Sequence, residues 1–295
     1  MREVNQMNIL ISTDTSCLIN NELLTNYDIS IFPLNVIIDN KEYLDGVTIK
    51  QDFLLSEMRA NKNIKTSTPP LGTVIEYFEK LFEKGYDKII HFTISSKLSS
   101  MFNLFSSVSA NYFDNKIIVL DTLSVSSTML SNVLLAYEEA KKGTNIDEII
   151  EKIKNRISDT YLFIIPENLT ALKNGGRISP AIAAIGNTIG LKPIIILKDG
   201  ELVKGSMAMN VKKAYKDKLD SLIEKYPISN YDYTLIEFGA DDNTLNKIKL
   251  LLNEKLGESN YISGLLPINV CAHCGPGTIG LVISKKINEK SLLDF

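Results

Sequence analysis

The sequence predicts an α/β protein with two domains. Through the first half of the chain, short apolar runs alternate with amphipathic helical patterns, and this alternation is typical of a parallel sheet covered by helices. After Pro166 the pattern changes to closely spaced strands, two of which are joined by a hairpin turn. The chain has 295 residues, more than one domain usually holds. We therefore expect an N-terminal parallel-sheet domain at 1–165 and a C-terminal mixed-sheet domain at 166–295.

The N-terminal half is predicted to contain five strands and five helices. The strand predictions rest on apolar, β-rich runs, most of them of the kind that is buried on both faces of a sheet. These runs lie at 8–13, 29–38, 88–92, 116–120 and 161–165. The helix predictions rest on apolar residues that recur with helical spacing. These patterns lie at 53–59, 73–84, 101–112, 128–142 and 146–157.

The C-terminal half is predicted to contain four helices and a set of strands. The helical patterns lie at 167–172, 180–189, 211–225 and 243–256. The strands lie at 193–198, 201–207 and 233–238, with terminal strands within 261–284. Asp199-Gly200 separates the first two strands and is a typical two-residue hairpin turn.

Composition excludes several classes of protein. Hydrophobic residues make up 44% and charged residues 23% of the chain, as in globular proteins, and the net charge of -3 gives no reason to expect nucleic-acid binding. We find no apolar stretch of membrane-spanning length and no signal peptide. Three cysteines are an odd number and favour a reducing compartment. We therefore expect a cytoplasmic protein.

Two hydroxyl-rich clusters flank predicted elements. Thr66 and Ser67 precede a predicted helix, and Ser95 and Ser96 follow a predicted strand. In an open α/β sheet, the carboxyl end of a strand is where ligands bind, and serines at a helix N-terminus favour an anion. Helix capping explains both clusters equally simply, so both interpretations stay open.

A third cluster places Arg177 directly after Gly175 and Gly176. Two glycines let a ligand approach the backbone, and a guanidinium presents a planar fork that fits a carboxylate or phosphate. The arrangement predicts an anion site. The alternative is a helix that ends at glycine and is followed by a surface arginine.

The fourth cluster, at 271–280, contains His273 beside a tight turn that begins at Gly275. His273 could donate to an anion, move a proton, bind a metal or serve only a structural role. The glycines in this segment match a dinucleotide motif, but a strand rather than a helix is predicted to follow. In an extended segment, His273 and Cys274 would point to opposite faces, so we expect no metal site.

Hydrolase chemistry is a weaker alternative. A serine nucleophile needs an activating base, and the chain has two histidines, but no G-x-S-x-G motif is present. A serine-dependent acyl hydrolase and a binding module for a non-lipid small anion therefore both remain as alternatives.

Taken together and in this order, the motifs resemble those of one bacterial family over most of the chain. They are Thr13-Asp14-Thr15-Ser16, Pro33-Leu34, Tyr43-Leu44-Asp45-Gly46, Lys65-Thr66-Ser67, Ile94-Ser95-Ser96-Lys97-Leu98-Ser99, the run 172–179, Lys192-Pro193 and His273-Cys274-Gly275-Pro276-Gly277. This set resembles the DegV family of fatty acid binding proteins, which includes the acyl-carrying subunits of fatty acid kinase.

The resemblance implies a function. It implies two α/β domains with one long-chain fatty acid, such as palmitate, stearate or oleate, between them, and no cofactor or catalytic activity of its own. It also implies membrane contact that is at most transient. The carboxylate would be held by a polar set with the tail in an apolar tunnel. By similarity, the polar set is Thr66, Ser67, Ser95, Ser96, Arg177, His273 and Gly275.

Two departures from the family pattern affect these expectations. Met207 and Met209 stand where the family usually has a Lys-x-Arg pair, which weakens the implied partnership with a fatty acid kinase. Ser99-Ser100-Met101-Phe102 replaces a turn that usually contains glycine, so the preferred chain length stays open.

Overall fold

A computed structural model of the protein describes residues 7–17, 24, 26–185, 190–258 and 260–295. The strands of this part of the chain are β1 (Ile9–Asp14), β2 (Ile29–Phe32), β3 (Asn35–Ile38), β4 (Lys41–Leu44), β5 (Ile64–Ser67), β6 (Lys88–Thr93), β7 (Ile117–Asp121), β8 (Tyr161–Ile165), β9 (Lys192–Lys198), β10 (Glu201–Ala208), β11 (Tyr231–Phe238), β12 (Ile262–Leu265) and β13 (Thr278–Lys285).

The helices alternate with these strands. They are α1 (Gln51–Arg59), α2 (Leu71–Phe82), α3 (Met101–Tyr112), α4 (Ser127–Lys141), α5 (Ile146–Ile157), α6 (Thr170–Asn174), α7 (Pro180–Ile185), α8 (Val211–Lys225), α9 (Asp242–Leu256) and α10 (Ile268–Cys274). The part of the predicted helix 180–189 beyond α7 lies outside the described residues. Within the described ranges, no helix is long and apolar enough to cross a membrane.

The N-terminal sheet is parallel, as predicted. Its strand order is β2-β1-β6-β7, and every pair runs in the same direction. Strands β1 and β6 lie in the centre and are buried over five of their six residues, which explains their continuous apolar character.

The single strand predicted at 29–38 is wrong. Pro33 separates β2 from β3, and the two strands belong to different sheets, since β3 pairs antiparallel with β4 and β5. A proline without a backbone N–H interrupts a ladder at this point. Strands β4 and β5 were not predicted, and Thr66 and Ser67 lie on β5 rather than at a helix cap.

The second sheet is mixed and has the order β10-β9-β8-β13-β11-β12. Strand β8 pairs with β13 and β9, so the strand predicted at 161–165 belongs to this sheet and not to the parallel one. The division of the chain near Pro166 remains a prediction, and the second sheet begins five residues before it. Asp199 and Gly200 have φ values of 50° and 82°, as a two-residue hairpin turn requires.

The segment predicted as terminal strands contains a helix. Between β12 and β13, the chain forms α10, which begins after Pro267 and ends at Gly275, whose φ is 82°. Proline before the first helical residue and a glycine with positive φ after the last are the ordinary start and stop of a helix. Strand β13 after it was correctly predicted.

The two faces of the second sheet point to two different apolar clusters. Leu162 and Ile164 of β8 belong to the large cluster around the parallel sheet, whereas Phe163 and Ile165 pack with residues of α8 and α9. This alternation is the period of a strand. Helix α4 is buried on nearly all sides. It contacts β1 of the parallel sheet and β13 of the mixed sheet, so it joins these two sheets.

A buried arginine fastens this junction. Arg156 on α5 is only 8% exposed. Its Nη2 donates to Ser131 Oγ and to the Lys285 carbonyl, each at 2.5 Å, and its Nη1 donates to the Lys286 carbonyl at 3.3 Å. One side chain thus links α5, α4 and the end of β13.

We expect Arg156→Met to lower the free energy of unfolding by about 2–4 kcal/mol, because two part-buried carbonyls and a buried hydroxyl lose a charged donor. Urea denaturation measures the change. Lys154→Met, on an exposed position of the same helix, is the control and should stay within about 0.5 kcal/mol of the parent. Equal stability of the two variants would contradict the role given to Arg156.

Candidate functional site

The carboxyl ends of the parallel strands face the second sheet across an internal cavity. Leu34 follows β2, Ile94 follows β6 and Val125 follows β7, and all three line the cavity. Leu162 and Ile164 of β8 line it from the opposite side. Ligand sites in open α/β sheets form at this edge, because the strand order changes direction there.

The cavity is mostly apolar. Together with the open space at its mouth it encloses about 910 Å³. Its apolar lining is Leu34, Ile94, Leu98, Met101, Val125, Leu162, Ile164, Leu172, Leu202, Ile236, Leu266 and Val270. Its polar lining is Asn35, Thr66, Ser67, Thr68, Ser99, Ser100, Arg177, Asn269 and His273, with Cys274.

One end of the cavity opens to a second, polar cleft. Thr66, Arg177, His273 and Cys274 line both spaces. We call Thr66, Arg177 and His273 the mouth group. The cleft beyond it carries Arg59, Lys62, Lys65 and Glu167 among its lining residues. The mouth group therefore stands at the boundary between an apolar interior and a charged surface.

A hydrogen bond joins two members of the mouth group. Thr66 Oγ1 lies 2.9 Å from His273 Nε2. The other ring nitrogen, Nδ1, is buried and has no partner within the described part of the chain. If Nε2 carries the proton and donates to Thr66, the threonine hydroxyl is free to donate into the cavity. This tautomer turns the pair into a donor for an anion.

Gly175 allows the histidine to take this position. A Cβ atom at Gly175 would come within 2.3 Å of His273 Nδ1, closer than atoms can pack. Only a residue without a side chain lets the backbone after α6 approach the ring. Gly175 therefore lies close to the His273 side chain, and its predicted close approach to a ligand stays a prediction.

Arg177 is half-buried and partly engaged. Its Nε donates to the Leu98 carbonyl at 3.1 Å, and its Nη1 donates to the Gly175 carbonyl. Its second terminal nitrogen, Nη2, makes no hydrogen bond with any residue that the structure describes. The guanidinium therefore keeps a donor for an anion, while two backbone carbonyls fix its orientation.

Burial keeps His273 neutral. Desolvation, and secondarily the nearby positive charge of Arg177, lower the pKa of His273 to about 4. At neutral pH the one full positive charge in the mouth group is therefore that of Arg177. An anion placed here would favour protonation of His273 and oppose this shift.

A second polar group lies deeper in the cavity. Asn35 and Ser67 face each other across the β3–β5 pair, and Asn269 lies one helical turn before His273 on α10. We call these three residues the inner group. Asn35 and Asn269 were not predicted as site residues. An asparagine four positions before His273 was the available signal, but the segment was predicted as extended.

The two predicted serines lie outside the cavity lining. Ser95 is fully buried, and its hydroxyl donates to the Gly200 carbonyl at 2.8 Å, tying the hairpin between β9 and β10 to the parallel sheet. The backbone N–H of Ser96 donates to Asp121 at 3.0 Å. Ser99 and Ser100, one turn further along, line the cavity instead. The ligand contacts predicted for Ser95 and Ser96 stay untested predictions.

Gly275, His273 and Cys274 lie at the C-terminal end of α10. Gly275 ends α10 and lines the polar cleft. The expectation that His273 and Cys274 lie on an extended segment is wrong, because both lie on α10. Across the described ranges, no cluster of three or more His, Cys, Asp or Glu side chains is arranged to hold a metal ion.

Fold and cavity define a class: an α/β protein with a parallel and a mixed sheet that enclose a mostly apolar cavity with one polar, cationic end. The sequence model of the DegV family (Uncharacterised protein, DegV family) matches residues 8–286. A DegV domain-containing protein of Clostridium acetobutylicum is 30% identical over 282 residues, 94% of this chain and 99% of that relative. The chain belongs to the DegV family.

Solved structures agree with this assignment. A fatty acid binding DegV family protein from Thermus thermophilus superimposes with a TM-score of 0.84 at 23% identity, covering 95% of this chain and 100% of that one. A stearic acid-binding protein from Eubacterium ventriosum gives a TM-score of 0.80 at 25% identity, covering 94% and 98%. The α/β fold, with a parallel sheet, a mixed sheet and the small β4-β3-β5 sheet, is therefore that of the family.

We expect Ser95→Ala to act on stability, because it removes the bond to Gly200 and the acceptor for the Lys97 N–H. The free energy of unfolding should fall by about 1–2 kcal/mol. Urea denaturation is the measurement, and Ser96→Ala is the matched control, expected within about 0.5 kcal/mol of the parent. A Ser95→Ala protein as stable as the parent would show that the hydroxyl does not fasten the hairpin.

Gly175→Ala should displace the His273 ring and break its contact with Thr66. The ring then becomes more exposed, so its pKa should rise from about 4 toward the ordinary value near 6.5. A histidine NMR titration reports this change. Gly72→Ala, where a Cβ meets nothing within 4 Å, is the control. An unshifted titration in Gly175→Ala would refute the positioning role of Gly175.

Proposed function

We propose that the protein binds one long-chain fatty acid, with the carboxylate at the mouth group and the tail in the apolar cavity. The observation that carries the proposal is the combination of a mostly apolar cavity with one cationic, donor-bearing end. A short polar metabolite would leave most of this lining without a partner. An alkyl chain with an acidic end matches both parts.

The tail supplies most of the affinity. A sixteen-carbon acid has about 14 methylenes, each contributing roughly 0.8 kcal/mol on burial, or about 11 kcal/mol before ordering costs are subtracted. A carboxylate removed from water is stable only when it is hydrogen-bonded and compensated by a positive charge. The polar end therefore sets the orientation of the chain rather than its affinity.

Each member of the mouth group has a distinct part in holding the carboxylate. Arg177 supplies the compensating charge and a free Nη2 donor, while Thr66 donates its hydroxyl. His273 orients that hydroxyl through its 2.9 Å contact and becomes easier to protonate once the anion is bound. Ser67 lines the cavity as part of the inner group, and its predicted contact with the carboxylate stays a prediction.

The relatives support the ligand class. The proteins from Thermus thermophilus and Eubacterium ventriosum are named for binding a fatty acid and stearic acid, respectively.

The opening of the cavity into the polar cleft would let a second protein reach the carboxylate. A fatty acid kinase partner stays a prediction, and Met209, which replaces a basic residue of the family pattern, is 73% exposed. The cytoplasmic location, transient membrane contact and lack of intrinsic catalysis also stay predictions.

Native mass spectrometry of the purified protein, before and after addition of palmitate, tests the proposal. We expect a mass increment of one fatty acid per chain. Arg177→Met should weaken palmitate binding about tenfold or more, since the carboxylate loses its compensating charge. Lys173→Met, on an exposed position of α6, is the control and should bind as the parent does.

Three results would count against the proposal. Failure of the parent to take up palmitate, together with binding of inorganic phosphate, would favour the small-anion module. Turnover of a chromogenic acyl ester that Ser95→Ala or His273→Ala abolishes would favour the hydrolase. Equal palmitate affinity of Arg177→Met and Lys173→Met would remove the carboxylate from the mouth group.

A further inference from the structure

The inner group contains polar atoms that the fold leaves unused. Asn269 is only 6% exposed and lines the cavity. Its Nδ2 donates to Ser16 Oγ at 2.7 Å, and its backbone N–H donates to Asp45 at 3.1 Å. Its side-chain carbonyl Oδ1 is buried and has no hydrogen-bond partner within the part of the chain that the structure describes. Buried amide oxygens without a partner are unusual and costly.

Ser67 presents a second unused atom beside the same cavity. Its hydroxyl is buried and also has no partner among the described residues. Ser67 stands opposite Asn35 in the β3–β5 pair, and both residues line the cavity with Asn269. The inner group therefore offers an acceptor and a hydroxyl to a ligand.

The chemistry of these atoms restricts what can fill the position. A methylene neither donates nor accepts a hydrogen bond, so a plain alkyl chain would leave both atoms unsatisfied. A carboxylate only accepts, so it offers nothing to an amide carbonyl. A hydroxyl has both functions, so it can donate to Asn269 Oδ1 and accept from Ser67 Oγ. It suits either orientation of the amide, because it can also accept from Nδ2.

The spacing places this hydroxyl near the head of the chain. Asn269 and His273 are four residues apart on α10 and so lie on one face, about 6 Å apart along the axis. With the carboxylate at the mouth group, the inner group falls within the first few carbons beyond it. A 3-hydroxyl group lies in that interval, whereas a hydroxyl at the far end of a long chain does not.

We infer that the preferred ligand is a long-chain acid with a hydroxyl close to its carboxyl end, held by Asn269 and Ser67. This inference rests on the proposed fatty acid function and names its substrate class. A site built to bond a hydroxyl discriminates against the analogue that lacks it, because its own buried groups are then unpaired. We expect 3-hydroxypalmitate to bind about tenfold more tightly than palmitate.

Calorimetric titration of the delipidated protein with three acids tests this inference. Palmitate is the reference, 3-hydroxypalmitate is the expected better ligand, and 16-hydroxypalmitate controls for a hydroxyl placed elsewhere. The 16-hydroxyl acid should bind no more tightly than palmitate, because its polar end enters the apolar lining. Palmitate binding equal to or tighter than 3-hydroxypalmitate binding in the parent would overturn the inference.

Variants locate the preference in the inner group. Ser67→Ala should reduce the preference for 3-hydroxypalmitate over palmitate to about threefold or less, with both acids titrated against the same variant. Ser99→Ala, at another cavity-lining hydroxyl, should keep the full preference. Asn269→Leu is a second variant, but it also removes the bond to Ser16. Comparison of the three acids on the parent therefore decides the question if that variant does not fold.

The experiment separates this inference from the proposed function. Failure of all three acids to bind would defeat both. Tight palmitate binding without a 3-hydroxyl preference would leave the fatty acid function standing and defeat only the inner-group assignment. A preference that persists unchanged in Ser67→Ala would show that the hydroxyl is recognised elsewhere.

Discussion

The site depends on helix α10 being held between the two sheets. At its N-terminal end, the Asn269 backbone donates to Asp45 and its side chain to Ser16, both buried residues next to the parallel sheet. At its C-terminal end, His273 contacts Thr66. Both polar groups of the cavity include a residue of this one helix, so its two anchor points set their spacing. Movement of α10 would separate Thr66 from His273 and close or open the cavity mouth.

Buried titratable groups make the stability of the protein depend on pH, with some contributions lost as pH rises and others lost as pH falls. Burial raises the pKa of Asp14 to about 6 and that of Asp45 to about 7, so their contribution to stability is lost as pH rises through those values. Burial lowers the pKa of His91 to about 3 and that of His273 to about 4, so their contribution is lost as pH falls below about 6.5. The opposing slopes overlap between about pH 4 and 6.5 and partly cancel there.

Sequence patterns predicted the parallel sheet, most helices and three residues that the structure gathers at the mouth. They failed where tertiary pairing outweighs local pattern. Strands β4 and β5 are short and half-exposed, and the run 29–38 joins two sheets, so periodicity carries little information on them. Helix α10 is seven residues long, too short for a clear helical period. Because α10 was not predicted, Asn269 was not recognised as a neighbour of His273. The hydrogen bond from Ser95 to Gly200 joins residues 105 positions apart, so no local pattern predicts it.

The apolar part of the cavity and its polar mouth would have different effects on a bound ligand. The apolar lining lies between the parallel and the mixed sheet. The mouth group borders a cleft that carries charged side chains. A ligand with its acid group at the mouth would be retained by its tail and yet present its head to solvent or to another protein. Because Arg177 is fixed by two backbone carbonyls, it can hold that head without closing over it. Under the proposed function, this geometry leaves the acyl carboxylate within reach of a partner protein.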